Sequence, residues 1–197
     1  MGGQFFYLTH PQVRIDPAVP IPDWGLSDTG LARAQMAAGA PLFAQLTLIC
    51  SSAERKAVET AQTIAEARNL TVSILPRTHE NDRSATGFLP PAEFESVAND
   101  FFAEPRASVR GWERAIDAQA RIVSEALPLL EAACEGDVLM VGHGGVGTLL
   151  LCHLAGLEIS RSHDQPAGGG NLFAYNPASQ EVICRWTPIE TLGARQA

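Results

Sequence analysis

The chain has 197 residues, 46% of them hydrophobic and 18% charged, with a formal net charge of −8. This composition excludes a disordered chain and fits a single domain, expected over 1–197, large enough to bury a core. The acidic balance, with a pI of about 5.1, repels nucleic acid and anionic lipid at long range, so no nucleic-acid partner is expected.

In chain order, Phe5 to Leu8 is a short apolar run suited to a buried strand, and it stops at Thr9-His10-Pro11. Its flank, Met1 to Gln4, carries no basic region, and no later segment approaches the roughly 20 apolar residues of a membrane span. A cytoplasmic location without a membrane partner is therefore expected. Asp16 to Pro22 contains Pro17, Pro20 and Pro22 and must be loop. Leu26-Ser27-Asp28-Thr29-Gly30 opens a helix to about Ala38, capped by Ser27 or Asp28. Leu46 to Cys50 reads as a second buried strand ending at Ser51-Ser52. The helix after it, Ala53 to Arg68, places Ala57, Ala61, Ile64 and Ala65 on one face. Val72 to Leu75 is a third, β-branched strand.

From Glu80 to about Arg110 regular periodicity is lost, with a short helix expected over Glu93 to Phe102. A long irregular stretch in a compact domain is more often functional than idle, so residues 80–110 are read as a cap insertion over a site. Phe88, Phe101, Phe102 and Trp112 are expected to form its local core. Trp112 to Cys134 is the longest helical stretch. Asp137 to Val141 is the clearest strand and runs through Gly142-His143-Gly144-Gly145 into a helix, Val146 to Leu154. Leu172 to Tyr175 and Val182 to Trp186 close the chain as a strand pair. The alternation predicts a three-layer α/β/α sandwich with a mostly parallel sheet.

In such sheets ligands bind beyond the carboxyl ends of strands. His10, Ser51-Ser52, Glu80 and His143 all fall at or near such ends. At His10 position alone leaves two readings open, a satisfied strand-end carbonyl or chemistry. At His143 the flanking glycines allow close backbone approach, and the helix after it points its positive N-terminus at the same place, which favours an anion. The four cysteines, Cys50, Cys134, Cys152 and Cys184, form no CxxC pair and read as reduced structural thiols. No metal-ligand spacing is visible and no cofactor is expected. The loop Arg161 to Asn171 either lines the pocket or is a solvated turn, and His79 and His153 read as structural.

These features together resemble the histidine phosphatase (phosphoglycerate-mutase-like) superfamily. Thr9-His10-Pro11 stands where that family carries Arg-His-Gly. The run Ser51-Ser52-Ala53-Glu54-Arg55-Lys56-Ala57-Val58-Glu59-Thr60-Ala61 resembles its second motif, with Lys56 in place of an arginine. Glu80 stands at the family's acid, Gly142-His143-Gly144 resembles its last motif, and Leu26 to Gly30 its turn into the first helix. The resemblance implies a phosphoric monoester hydrolase acting on a small phosphate ester, with His10 as nucleophile, Glu80 as general acid and His143 as phosphoryl donor. Thr9, Lys56, Arg55, Arg83 and Gly144 are the expected phosphate contacts. Loss of the arginine at Thr9 removes a bidentate clamp. It opens the alternative of a silent phosphate-binding relative, and Arg83 or Arg55 is expected to compensate; a phosphomutase, which would use the same phosphohistidine, is a third reading. A homo-oligomer is compatible with all of this.

Overall fold

The computed structural model describes residues 2–192; Met1 and 193–197, the ends of the expected domain, lie outside the described residues. The apolar runs form six strands: β1 (Phe5–Thr9), β2 (Leu46–Ser51), β3 (Val72–Ile74), β4 (Asp137–Gly142), β5 (Asn171–Asn176) and β6 (Glu181–Pro188). They join one sheet in the order β3-β2-β4-β1-β5-β6. The first four strands pair in parallel, and β5 and β6 add antiparallel. Five α-helices accompany them: α1 (Asp28–Ala38), α2 (Arg55–Arg68), α3 (Pro91–Ala103), α4 (Ala115–Ala132) and α5 (Gly144–Leu154).

Strand side chains alternate between faces, so β1 feeds two cores at once. Phe6 and Leu8 pack with Ile49, Leu139 and Val141 against Ala37, Ala57, Ala61 and Ile64 of α1 and α2. Phe5 and Tyr7 pack with Val138 and Met140 against Phe101, Ile122, Leu149 and Leu150 of α3, α4 and α5. Burial on both faces explains why these strands read as continuous apolar runs rather than alternating ones. The result is the expected three-layer α/β/α sandwich. Ser27 caps α1, its side chain accepting from the Gly30 amide at 3.1 Å.

The segment expected to be mostly irregular holds a 13-residue helix, α3, longer than Glu93 to Phe102. Val97, Ala98, Phe101 and Phe102 bury its inner face beside Trp112. Phe88 does not join them: it is 39% exposed and lies against the Trp24 ring instead, with centroids 5.8 Å apart. All four cysteines are free thiols. Among the described residues no helix is long and apolar enough to cross a membrane.

One buried polar contact ties β1 to the end of β4. The Tyr7 hydroxyl accepts from the His143 amide at 3.0 Å and donates to the His143 carbonyl, also at 3.0 Å. Gly142 makes room for it, since a β-carbon there would lie 2.3 Å from that hydroxyl. The His143 carbonyl has a second partner in the Gly147 amide, but the His143 amide depends on Tyr7. Tyr7→Phe should therefore leave a buried N–H unsatisfied and lower unfolding free energy by about 1–3 kcal/mol. Denaturant titration measures this, and a change under a few tenths would refute the bracing role.

Candidate active site

Parallel pairing sets Thr9 opposite Gly142 and Val141 opposite Ser51. His10 and His143 thus follow side by side at the carboxyl edge of the sheet, and Ser52, one step earlier in the register, follows on the strand at the other side of β4. The ladder continues past the strands: the His10 amide donates to the Gly142 carbonyl at 3.0 Å and the Ser52 amide to the Val141 carbonyl at 3.1 Å. Adjacent strands lie about 4.8 Å apart, and the His10 and His143 rings accordingly meet edge to face with centroids 5.3 Å apart.

The His10 ring is fixed by its own turn. Its Nδ1 lies 2.8 Å from the Pro11 carbonyl, which can only accept, so Nδ1 carries the proton and Nε2 keeps its lone pair. Burial, with the neighbouring His143 adding to it, lowers the His10 pKa to about 3. The imidazole is therefore neutral at physiological pH. His143 is fully buried, and burial lowers its pKa as well, against the opposing pull of Glu54 and Glu80. Its Nε2 lies 2.8 Å from Ser52 Oγ. Ser52 Oγ already accepts from the Glu54 amide, so its proton is free to go to Nε2. The neutral His143 ring then holds its proton on Nδ1, which is buried without a partner.

Glu80 comes to the same place from the segment after β3. Its carboxylate accepts from the Gly145 amide at 3.1 Å, the Val146 amide at 3.0 Å and the Asn81 amide at 3.0 Å. The N-terminus of α5 does attract an anion, as its position suggested, but the anion is the protein's own carboxylate. Gly145 permits this, because a β-carbon there would lie 2.7 Å from Glu80 Oε1. Burial alone would raise the Glu80 pKa; the Arg83 charge, His143 and the amides outweigh it and hold the carboxyl below its usual range.

The expected cations divide. Lys56 is buried, but it is paired with Glu54 and donates to the Ile21 carbonyl at 2.9 Å. Arg55 does not reach the site: it is 64% exposed and ion-paired with Glu59 at 2.7 Å. Its neighbour in sequence, Lys56, takes the inward face of α2, and one turn of helix cannot aim both inward. Arg83 does line the site, stacked over Phe94 at 5.1 Å and Trp112 at 5.6 Å. Thr9 is fully buried and donates to Gln165 Oε1 at 2.6 Å.

A cavity of about 650 Å3 is lined by His10, Glu80, Arg83, Gly144 and Gln165 among others. A second of about 460 Å3, bounded by Ile21, Glu54 and His79, shares Glu80, Asn81 and Arg83 with it. The loop before β5 thus lines the pocket, settling one of its two readings. Several contributors had no individual role in the sequence reading. Ser52 is one of the polar residues read at strand ends, without a role of its own, and Glu54 lies inside the second motif, where the resemblance points to Arg55 and Lys56. Tyr7 was one letter in an apolar run. Asn81, whose buried Nδ2 has no partner, and Gln165 sit in loops without a periodic signal. Among the described residues no group of three or more His, Cys, Asp or Glu side chains is placed to hold a metal ion.

A family model for the histidine phosphatase superfamily (branch 1) matches residues 16–182, beginning just after the Thr9-His10-Pro11 segment. No curated protein matches the chain. Among solved structures, a mycobacterial glucosyl-3-phosphoglycerate phosphatase in complex with inorganic phosphate is 21% identical, with a TM-score of 0.77 over 95% of this chain and 99% of that one. A phosphoserine phosphatase from Entamoeba histolytica in complex with 3-phosphoglyceric acid is 15% identical, with a TM-score of 0.74 over 93% and 96%. At such identities the likeness is one of fold.

The depressed His10 pKa has a consequence for stability. Below pH 6.5 an unfolded chain protonates this imidazole, whereas the folded chain does not until about pH 3. Its contribution is fully present above 6.5 and is lost as pH falls from 6.5 toward 3. Replacing His10 by Gln should make stability fall less steeply across that window, by about 1.4 kcal/mol per pH unit for the one proton removed. Parallel slopes for the two proteins in denaturant titrations from pH 6.5 to 4 would refute the neutral assignment.

Proposed function

The chain belongs to the histidine phosphatase superfamily, branch 1, and from that premise we propose that it is a phosphoric monoester hydrolase working through a phosphohistidine on His10. The observation that carries this reading is the His10 ring itself. Its Nδ1 is tied to the Pro11 carbonyl, and its Nε2 meets no partner among the described residues and belongs to a side chain on the cavity wall. A neutral imidazole with a bare lone pair is a nucleophile at physiological pH without a further base.

In this reading Nε2 attacks phosphorus, forming a nitrogen–phosphorus bond as the bond from phosphorus to the ester oxygen breaks. His143 Nδ1–H, otherwise unpartnered, donates to a phosphoryl oxygen, and the Arg83 guanidinium balances its charge. The leaving alkoxide takes a proton from Glu80. Glu80 then removes one from water, whose oxygen attacks phosphorus and returns His10 to its neutral form. The depressed pKa of Glu80 suits the second step directly. The first needs the carboxyl protonated, and a phosphoryl dianion beside it raises its pKa in that direction. The phosphate and phosphoglycerate held by the similar solved proteins support a small phosphorylated substrate.

A second reading, a relative that binds phosphate without turnover, draws on the cations. Lys56 is neutralised by Glu54 and Thr9 carries no charge, so among the described residues Arg83 is left as the cation on the cavity wall without an ion pair. A mutase would share the His10 intermediate and differ only in passing the phosphoryl group to a second hydroxyl.

A panel of small phosphate esters tests the reading. Turnover should be accompanied by an acid-labile, base-stable phosphoryl label on His10. His10→Ala should lose activity by on the order of a thousandfold or more. Turnover without label would defeat the covalent route, and neither turnover nor label across the panel would favour the silent reading. Arg83→Ala should weaken inhibition by inorganic phosphate by about 1.5–3 kcal/mol, with Arg83→Lys restoring part of the loss. It should also move the acidic limb of the pH–rate profile upward, because Glu80 loses the charge that most depresses it. An unchanged inhibition constant excludes Arg83 from the phosphate site.

A further inference from the structure

A phosphoryl group beside His10 needs hydrogen-bond donors, and most donors around the cavity are engaged. Lys56 donates to Glu54 and Ile21. The Gly145 and Val146 amides of α5 hold Glu80. Arg121 is taken up by Glu113 and by the carbonyls of Arg77 and His79. Arg161 pairs with Glu95 and Asp164. Among the described residues the side-chain donors left over are Arg83, His143 Nδ1, Asn81 Nδ2 and the amide of Gln165, beside the Gly144 backbone amide.

Gln165 is the one of these whose orientation is fixed from behind. Its Oε1 accepts from Thr9 Oγ1 at 2.6 Å and from Asn171 Nδ2 at 3.0 Å. Both of those residues are at least nine-tenths buried. Thr9 Oγ1 in turn accepts from the Asn171 amide at 3.0 Å, and of the two acceptors within reach of its single proton, Gln165 Oε1 at 2.6 Å is nearer than the Asn171 carbonyl at 3.3 Å. Two donors on Oε1 settle which end of the amide is oxygen, and Nε2 therefore faces the other way. It lies over Gly144, where a β-carbon would come within 2.3 Å of it. It meets no acceptor among the described residues, and Gln165 and Gly144 line the cavity together with His10.

We propose that Gln165 binds the phosphoryl group through Nε2, with Thr9 as the positioning residue that aims it. The proposal rests on the phosphoryl-transfer reading given above. The residue before the nucleophile then acts on the phosphate through an intermediary: a neutral amide on a buried hydroxyl does the donating, and no side chain at position 9 touches the substrate.

Binding of inorganic phosphate, followed by phosphorus NMR, tests this in the full chain. Gln165→Ala should weaken affinity about tenfold, the low end for a hydrogen bond to a charged acceptor. Gln165→Glu should weaken it further, since it sets a carboxylate oxygen where Nε2 was. Thr9→Val should weaken affinity in the otherwise unaltered protein and add nothing in the Gln165→Ala background, while Thr9→Ser, which keeps the hydroxyl, should bind as the unaltered protein does. A purely structural Thr9 would lose the same amount in both backgrounds, and that result overturns the proposal. So does unaltered affinity in Gln165→Ala while the parent protein binds phosphate, or a loss confined to Asn81→Ala. If the parent protein binds no phosphate and hydrolyses no ester, the phosphoryl-transfer reading fails, and the role of Gln165 fails with it.

Discussion

His10 and His143 leave neighbouring parallel strands at the same height because Thr9 lies opposite Gly142. The 5.3 Å between their rings is an interstrand spacing carried one residue past the sheet. That register is braced twice. The Tyr7 hydroxyl, two residues before Thr9 on the same strand, holds both backbone groups of His143. On the other side, Gly170 donates its amide to the His10 carbonyl. Gly169 comes so close that a β-carbon would lie 2.2 Å from that carbonyl oxygen, at a φ of 64° that suits glycine. A one-residue slip of β1 would move Tyr7 and Phe5 into the other core and carry His10 away from His143, so packing energy on both faces also defends the geometry of the site.

The electrostatics are unusual for a pocket proposed to hold an anion. Three of its natural sources of positive potential are already answered by protein carboxylates. Glu80 sits on the N-terminus of α5, Glu54 neutralises Lys56, and Asp164 and Glu95 share Arg161. The acidic composition of the whole chain is thus repeated at the scale of the site. The Glu54 carboxylate does more than neutralise. It also accepts from the Glu80 amide at 2.9 Å and lies 3.4 Å from His143 Nε2. One buried side chain therefore ties Lys56 to the backbone of Glu80 beside the His143 ring.

Most of the fold was legible in the sequence because strand runs and helix periodicity are local signals. The Ser27 cap, the run from Asp137 and the paired closing strands all stand where their residues suggest. The position of His10, Glu80 and His143 near strand ends was legible too, because an α/β sheet gathers such ends on one edge. What stayed hidden depends on contacts between residues far apart in the chain. Thr9 reads as a lost arginine until its hydroxyl is seen against Gln165, 156 positions away. Lys56 reads as a retained charge until Glu54 is seen to neutralise it. The glycines after His143 read as room for a ligand. Two of them are room for the protein's own side chains, Gly145 for Glu80 and Gly144 for Gln165. Lys56 stands at the motif's arginine position and Arg55 beside it, and helix geometry sends only Lys56 inward.

These arrangements bear on how a site with few free cations could still protonate a leaving group. A guanidinium beside His10 would stabilise the phosphoryl dianion and, at the same distance, keep Glu80 ionised. In the proposed reading a neutral amide, that of Gln165, donates to the phosphoryl oxygens without adding positive charge near Glu80. The bound dianion's field on Glu80 is then opposed mainly by Arg83, so binding substrate itself raises the carboxyl pKa. Protonation of the acid becomes linked to occupancy of the phosphate site, and once the phosphoryl group is transferred and the alkoxide protonated, the same carboxyl is again the ionised base that water requires. On the proposed reading, reduced affinity for the anion and a better-loaded acid would be two results of one substitution of charge by dipole, acting on opposite terms of the rate: weaker binding of substrate, easier departure of the alcohol.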